Sequence, residues 1–127
     1  TKASFVKWVV DSLSNGKSIN VVNDQWNNPT HTEDLGHVIN ELLKQGANGL
    51  YHYGSSEILN RYDFACLIAN IYDLDEKLIQ PITTKELNQR ARRPLKSGLE
   101  TGKIERDLGI TPSVLRNDLE KLAARNL

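Results

Sequence analysis

Apolar residues recur at helical spacing along four stretches of this chain, and three short apolar runs stand beside them. Phe5, Val6, Val9, Val10 and Leu13 share one helix face, with Gly16 placed as the stop. Leu35, Val38, Ile39, Leu42 and Leu43 make a second stripe that Gly46 ends. Thr30 and Glu33 have capping-box spacing and predict that this second helix opens at Thr30. Phe64, Leu67, Ile68, Ile71 and Tyr72 form a third stripe behind Asn60, a good N-cap. Leu115, Leu119 and Leu122 face inward from a terminal helix, and Thr111-Pro112 predicts its start: a cap followed by proline at the first helical position. Ile19 to Val22, Gly49-Leu50-Tyr51-His52-Tyr53-Gly54 and Leu78 to Ile82 read as strands. Pro81 cannot donate to a ladder, which puts the last strand at an edge. Thr83 with Glu86 predicts a short helix, and Ile104 with Leu108 another that ends at Gly109. Residues 23–30 and 88–98 read as polar, irregular segments.

Helices and strands therefore alternate, which argues for an α/β layer structure. Three short strands make a poor sheet alone and fit better as additions to a larger one. The chain has 127 residues, the size of one domain over 1–127, and 39% are apolar, somewhat low for a self-contained fold. It begins at Thr1 and reads as a portion of a longer protein. Sixteen basic and sixteen acidic residues cancel, so charge gives no reason to expect a nucleic-acid or membrane partner. A single cysteine, Cys66, excludes an internal disulfide and fits a reducing compartment. With no signal peptide and no apolar run of spanning length, the expectation is a cytoplasmic chain.

Catalytic machinery is missing from the sequence. No glycine-rich fingerprint follows a strand, so no pyrophosphate cradle is expected. No tyrosine precedes a lysine by four; Lys77 comes five after Tyr72. His31, His37 and His52 lack the partners of a zinc site, and Cys66 reads as a small buried residue. The candidate catalytic, cofactor-binding and metal-ligating sets are therefore empty. Binding chemistry concentrates instead in two loops, Asp24-Gln25-Trp26-Asn27-Asn28-Pro29-Thr30 and Arg92-Arg93-Pro94-Leu95-Lys96-Ser97-Gly98-Leu99.

The succession of these blocks resembles the C-terminal half of the dTDP-4-dehydrorhamnose reductase family, extended short-chain dehydrogenases/reductases of sugar-nucleotide metabolism. Asp24, Gln25, Pro29 and Thr30, then Asp34-Leu35-Gly36, match its Asp-Gln-x-Gly-x-Pro-Thr and Asp-Leu-Ala. Gly49-Leu50-Tyr51-His52, Asn60-Arg61-Tyr62-Asp63-Phe64-Ala65 and Pro81-Ile82-Thr83-Thr84 follow in the family order. Arg93, Pro94, Ser97, Leu99 and Lys103 match its closing motif. Where the family has glycine this chain has Asn27, a residue that also tolerates positive φ.

The resemblance implies the C-terminal, substrate-binding portion of a Rossmann-like fold, with few short strands and about five helices. It implies NADP(H) as cofactor of the full-length enzyme, held by an upstream Rossmann part, with none bound by this chain, which alone is expected to be inactive. The implied substrate is a nucleotide-diphosphate sugar, reduced at a 4-keto carbon. A diphosphate benefits from forked guanidinium donors, and Arg90, Arg92 and Arg93 are the candidates, against the reading of a merely solvated loop. Gln25 and Trp26 would meet the base, sugar or cofactor edge, or, for Trp26, serve in packing. Thr30 reads as a helix cap and Lys103 as an exposed helix lysine. Related readings are the regulatory beta subunit of methionine adenosyltransferase, which resembles the same half, and nucleotide-sugar epimerases or dehydratases. The helix at residues 31–45 and the strand at 50–53 would belong to the large sheet of the whole fold. Without upstream neighbours they would leave this chain prone to self-association.

Overall fold

A computed structural model describes residues 4–125. Ser4 caps α1 (Phe5–Ser14), its hydroxyl accepting from the Lys7 N–H at 3.3 Å, and Val9 and Leu13 are the buried residues. Beyond Gly16, at φ 67, the chain reverses into β1 (Ile19–Val22). Then follow β2 (Trp26–Asn27), α2 (Thr32–Lys44) and β3 (Leu59–Asn60). The second half holds α3 (Arg61–Ile71), a 3-10 turn at Glu76–Leu78, β4 (Ile79–Ile82), α4 (Thr84–Leu87), α5 (Gly102–Leu108) and α6 (Leu115–Ala124).

The centre is a parallel pair, β1 with β4, running from Ile19 opposite Ile79 to Val22 opposite Ile82. Parallel neighbours need a crossover between them, and α3 supplies its helix. Asn60 caps α3 as expected: its Oδ1 accepts from the Asp63 N–H at 2.8 Å. The helix buries Phe64, Ala65, Ile68 and Ala69 against α1, both strands and α6. Each large aliphatic side chain so removed from water contributes roughly 1.5–3 kcal/mol. Pro81 sits opposite Val21 in β4, a strand with one neighbour among the described residues, as its missing N–H requires. A second, antiparallel pair joins β2 to β3 through Trp26 opposite Asn60.

Several expectations give way. Residues 50–53 form no strand: Leu50 is 74% exposed, and among the described residues no backbone lies beside the segment as a ladder partner. Side chains from α5 hold it instead. Lys103 donates to the Leu50 carbonyl at 2.8 Å, and the Tyr51 hydroxyl bonds to Asp107 at 3.1 Å. The second helix opens at Thr32 with His31 as its N-cap and no side-chain capping bond. The box fails because both members are engaged elsewhere: the Thr30 hydroxyl donates to the Asn28 carbonyl at 3.0 Å, and Glu33 pairs with Arg125 just after α6. The last helix begins at Leu115, not at Thr111-Pro112. Ser113 just before it is strapped to the 53–56 segment; its N–H donates to the Tyr53 hydroxyl and its carbonyl accepts from the Ser56 N–H at 2.9 Å. Asn27 needs no positive φ, since it lies in β2; among the described residues the left-handed non-glycine ones are Asp73 and Asn88. Cys66 is half-buried on α3, and burial raises its thiol pKa. The expected make-up of few short strands with about five helices holds, with six α-helices among the described residues.

Candidate functional site

The polar loop after β1 meets the segment from Thr84 to Leu99 at several points, through Thr84, Gln89, Leu95, Ser97 and Leu99. Their contact begins at Asp24, whose carboxylate accepts from the Thr84 N–H at 2.9 and 3.1 Å and from the Thr84 hydroxyl at 2.6 Å. Those bonds, the hydroxyl first, hold the Asp24 carboxyl below its ordinary pKa. They also anchor the first turn of α4, which has its own capping box. There the Thr83 N–H donates to Glu86 at 2.6 Å and the Glu86 N–H donates to the Thr83 hydroxyl at 3.2 Å. Glu86 too is held below the ordinary carboxylate value, chiefly by that Thr83 backbone N–H. A helix of one turn has little stability of its own, so these caps decide where it forms.

Gln25 comes next and is buried, 6% exposed. Its Nε2 donates to the Thr84 hydroxyl at 3.1 Å and to Gln89 Oε1 at 3.0 Å, while its carbonyl accepts from the Arg61 N–H at 3.2 Å. Trp26 then bonds through its backbone: its N–H donates to the Leu95 carbonyl at 2.7 Å and its carbonyl accepts from the Ser97 N–H at 2.9 Å. Asn28, buried, closes the seam. Its Oδ1 accepts from the Leu99 N–H at 3.1 Å, and its Nδ2 donates to the carbonyls of Ser55 and Leu99, each at 3.2 Å. Gly54 makes room for it, since a Cβ there would lie 2.2 Å from Asn28 Nδ2.

This seam presents a cleft of about 630 Å³ lined by Asp24, Thr84, Lys85, Gln89, Arg90, Arg92 and Arg93, among others. Asn88, left-handed at φ 50, ends α4 and turns the chain into it. Arg90, Arg92 and Arg93 are exposed, and among the described residues none of them, nor Lys85, takes part in an ion pair. Four cations beside one carboxylate suit a polyanion. Gln25 thus shares this corner with the three arginines, and its amide is spent holding Thr84 and Gln89. The Trp26 ring does not share it: 37% exposed, it lines a separate cleft with Ile58, Lys96 and Gly98. Sequence reasoning misses Thr84, Lys85 and Gln89 as members of this corner. The capping box at Thr83 is the signal that fixes their place, and no local pattern shows that Asp24 would reach them. Among the described residues no cluster of three His, Cys, Asp or Glu side chains is placed to hold a metal ion. His31 is half-buried at its helix start, and His37 and His52 are exposed.

Residues 1–127 match the family model of the RmlD substrate binding domain. The chain belongs to that family. It is 29% identical over 120 residues to a probable low-salt glycan biosynthesis reductase of Haloferax volcanii, covering 94% of this chain and 40% of that protein. It is 32% identical over 99 residues to the methionine adenosyltransferase 2 subunit beta of Rattus norvegicus, covering 74% of this chain and 29% of that one. A crystal structure of a dTDP-4-dehydrorhamnose reductase from Clostridium acetobutylicum superposes with a TM-score of 0.91 at 28% identity, covering 99% of this chain and 45% of that chain. The chain thus spans less than half the length of these relatives, and its fold is that of the C-terminal portion of the extended short-chain dehydrogenase architecture.

Proposed function

We propose that this chain is the substrate-binding part of an NADP-dependent reductase acting on 4-keto nucleotide sugars. One observation carries the reading: the Asp24-Gln25 loop and the Arg90–Arg93 loop, apart in sequence, form one wall with three guanidinium groups outside any ion pair among the described residues. The sugar nucleotide brings a diphosphate, and planar guanidinium forks match its paired oxygens better than a point charge does. The buried amide of Gln25, braced on Thr84 and Gln89, keeps that wall in place while the substrate enters.

The cofactor supplies hydride to such a reaction. This chain's residues do not fit its phosphates: of the positive-φ glycines, Gly16, Gly46 and Gly109 lie at helix ends and Gly49 in the segment after α2, and no glycine turn leads from a described strand into a helix. Cofactor binding and proton donation belong in this reading to an upstream part of the same protein. The apolar stripe of α2 is the surface that part would cover. A second reading, a non-catalytic regulatory subunit of the same fold, has in its favour the likeness to a methionine adenosyltransferase beta subunit. The test is NADPH oxidation by the full-length protein given a dTDP-4-keto-6-deoxy sugar. Consumption of NADPH with that sugar, and none without it, is expected. A protein that binds the nucleotide sugar yet consumes no NADPH belongs to the regulatory reading.

A further inference from the structure

Where the start of α2 meets α6 lies a cavity of about 240 Å³ that shares no lining residue with the arginine wall. Val6 of α1, Phe64 of α3 and Leu115, Leu119 and Leu122 give it an apolar wall. Asp118 interrupts that wall. It is 3% exposed, it is the one carboxylate in the lining, and its Oδ2 is buried with no hydrogen-bond partner among the described residues. The Asp34 carboxyl and the Ser113 hydroxyl stand close to it, and Asp34 Oδ2 and Ser113 Oγ are likewise buried and unpartnered. Neither carboxylate takes part in an ion pair among the described residues. The lining holds no lysine or arginine, and His31 is its other titratable group. Packing does not call for a carboxylate here, since Leu115 and Leu119 already bury that face of α6. A carboxylate so placed costs free energy that a bound cation recovers.

Apolar walls around one unpaired carboxylate suit a ligand with a short hydrocarbon tail and a cationic head. We propose that this cavity binds a short-chain primary ammonium, its tail against Phe64 and Leu119 and its head on the Asp118 carboxylate. The size allows it, since apolar cavities of about 150 Å³ already admit a molecule as large as benzene. The head group fits as well: an ammonium carries three donors, and Asp118, Asp34 and Ser113 leave three acceptors unmet. A neutral alcohol fills the same volume without meeting the charge, and a bare metal ion gains nothing from the hydrocarbon wall. The inference stands apart from the reading of the arginine wall, which it neither uses nor affects.

Amide chemical-shift titration of the full-length protein with n-butylammonium and, separately, with n-butanol tests this, on the wild type and on Asp118→Asn. The wild type should show saturable butylammonium shifts at Phe64, Leu115, Asp118 and Leu119. A charge-assisted contact predicts butanol binding weaker by about tenfold or more. Asp118→Asn should weaken butylammonium by a similar factor and leave butanol unchanged. A wild type without saturable butylammonium shifts, or with shifts confined to other surfaces, overturns the inference. Equal affinity for the two ligands also overturns it, because the cavity then reads shape and not charge. So does equal butylammonium affinity in wild type and Asp118→Asn. The wild-type map and the comparison with butanol decide the matter even where the variant does not fold.

Discussion

Arg93 lines the cleft of the arginine wall, exposed and without an ion-pair partner among the described residues. If its guanidinium grips the diphosphate, Arg93→Lys loses the fork and should harm binding as well as Arg93→Ala does. One charge-assisted contact predicts a rise in KM for the nucleotide sugar of about tenfold or more in the full-length enzyme. Unchanged KM and kcat in both variants would return the loop to a solvated surface. Gly54 gives a second prediction at this scale. An alanine there drives its methyl into the amide of Asn28, the side chain that bonds Ser55 and Leu99 to the loop after β1. Gly54→Ala should lower stability by roughly 1–3 kcal/mol, read from denaturant unfolding, and an unchanged midpoint would show that Asn28 can yield. The arginines stand out in the sequence as three cations within an irregular stretch, and the structure sets all three along one cleft. Thr84 and Gln89 do not, because no local pattern shows that Asp24 and Gln25 reach them.

Between elements, the junction of α2 with α6 combines two kinds of carboxylate. Glu33 in the first turn of α2 pairs with Arg125 after α6, and that guanidinium holds its pKa below the ordinary value. Asp118 in the first turn of α6 is 3% exposed, and its Oδ2 and Asp34 Oδ2 are buried with no partner among the described residues. Burial raises the Asp118 pKa; the nearby Ser113 hydroxyl opposes that rise, and the Asp34 carboxyl adds to it. A carboxyl raised by folding is more protonated in the folded chain than in the unfolded one. Its stabilising contribution is present below the unfolded value of about 3.9 and is lost as pH rises through the folded value. Glu33, Asp24 and Glu86 are lowered by folding and contribute with the opposite sign: their stabilisation is lost as pH falls. Asp118→Asn should therefore stabilise the chain at neutral pH and remove the falling component from its stability-pH curve above the acid range. Chemical denaturation at several pH values checks this, and a destabilised variant with an unchanged slope would contradict it. Of these elements, the helix stripes and the strands at 19–22 and 79–82 are legible because burial on one face leaves a period in the sequence. The helix starts at Thr32 and Leu115 are not. In each, a group near the expected helix start is bonded to a segment distant in sequence.

Across the whole molecule, the conspicuous feature is an uncovered apolar face. Leu35, Ile39 and Leu43 of α2 are 41%, 50% and 75% exposed, while Val38 alone of that helix is buried. Leu50, 74% exposed, follows in a segment with no ladder partner among the described residues. The family resemblance implies that this helix and the 50–53 segment belong with the large sheet of the whole fold, and the structure leaves them open. A single exposed leucine needs no explanation, but a row of them with an unpaired backbone segment invites a partner. We expect the isolated chain to self-associate through this face. Static light scattering that shows a monomer at high concentration would contradict that. In the full-length protein, the upstream part should instead shield Leu35, Ile39 and Leu43 from solvent. Among the described residues no helix is long and apolar enough to cross a membrane.

The central claim is that a nucleotide sugar binds where the loop after β1 meets the loop after α4. Amide chemical-shift mapping of the full-length protein, titrated with a dTDP-linked deoxysugar, tests it most directly. The account predicts saturable shifts concentrated at Asp24, Gln25, Lys85, Gln89 and Arg90 to Arg93. Saturable shifts confined to other surfaces, with this corner silent, would contradict it.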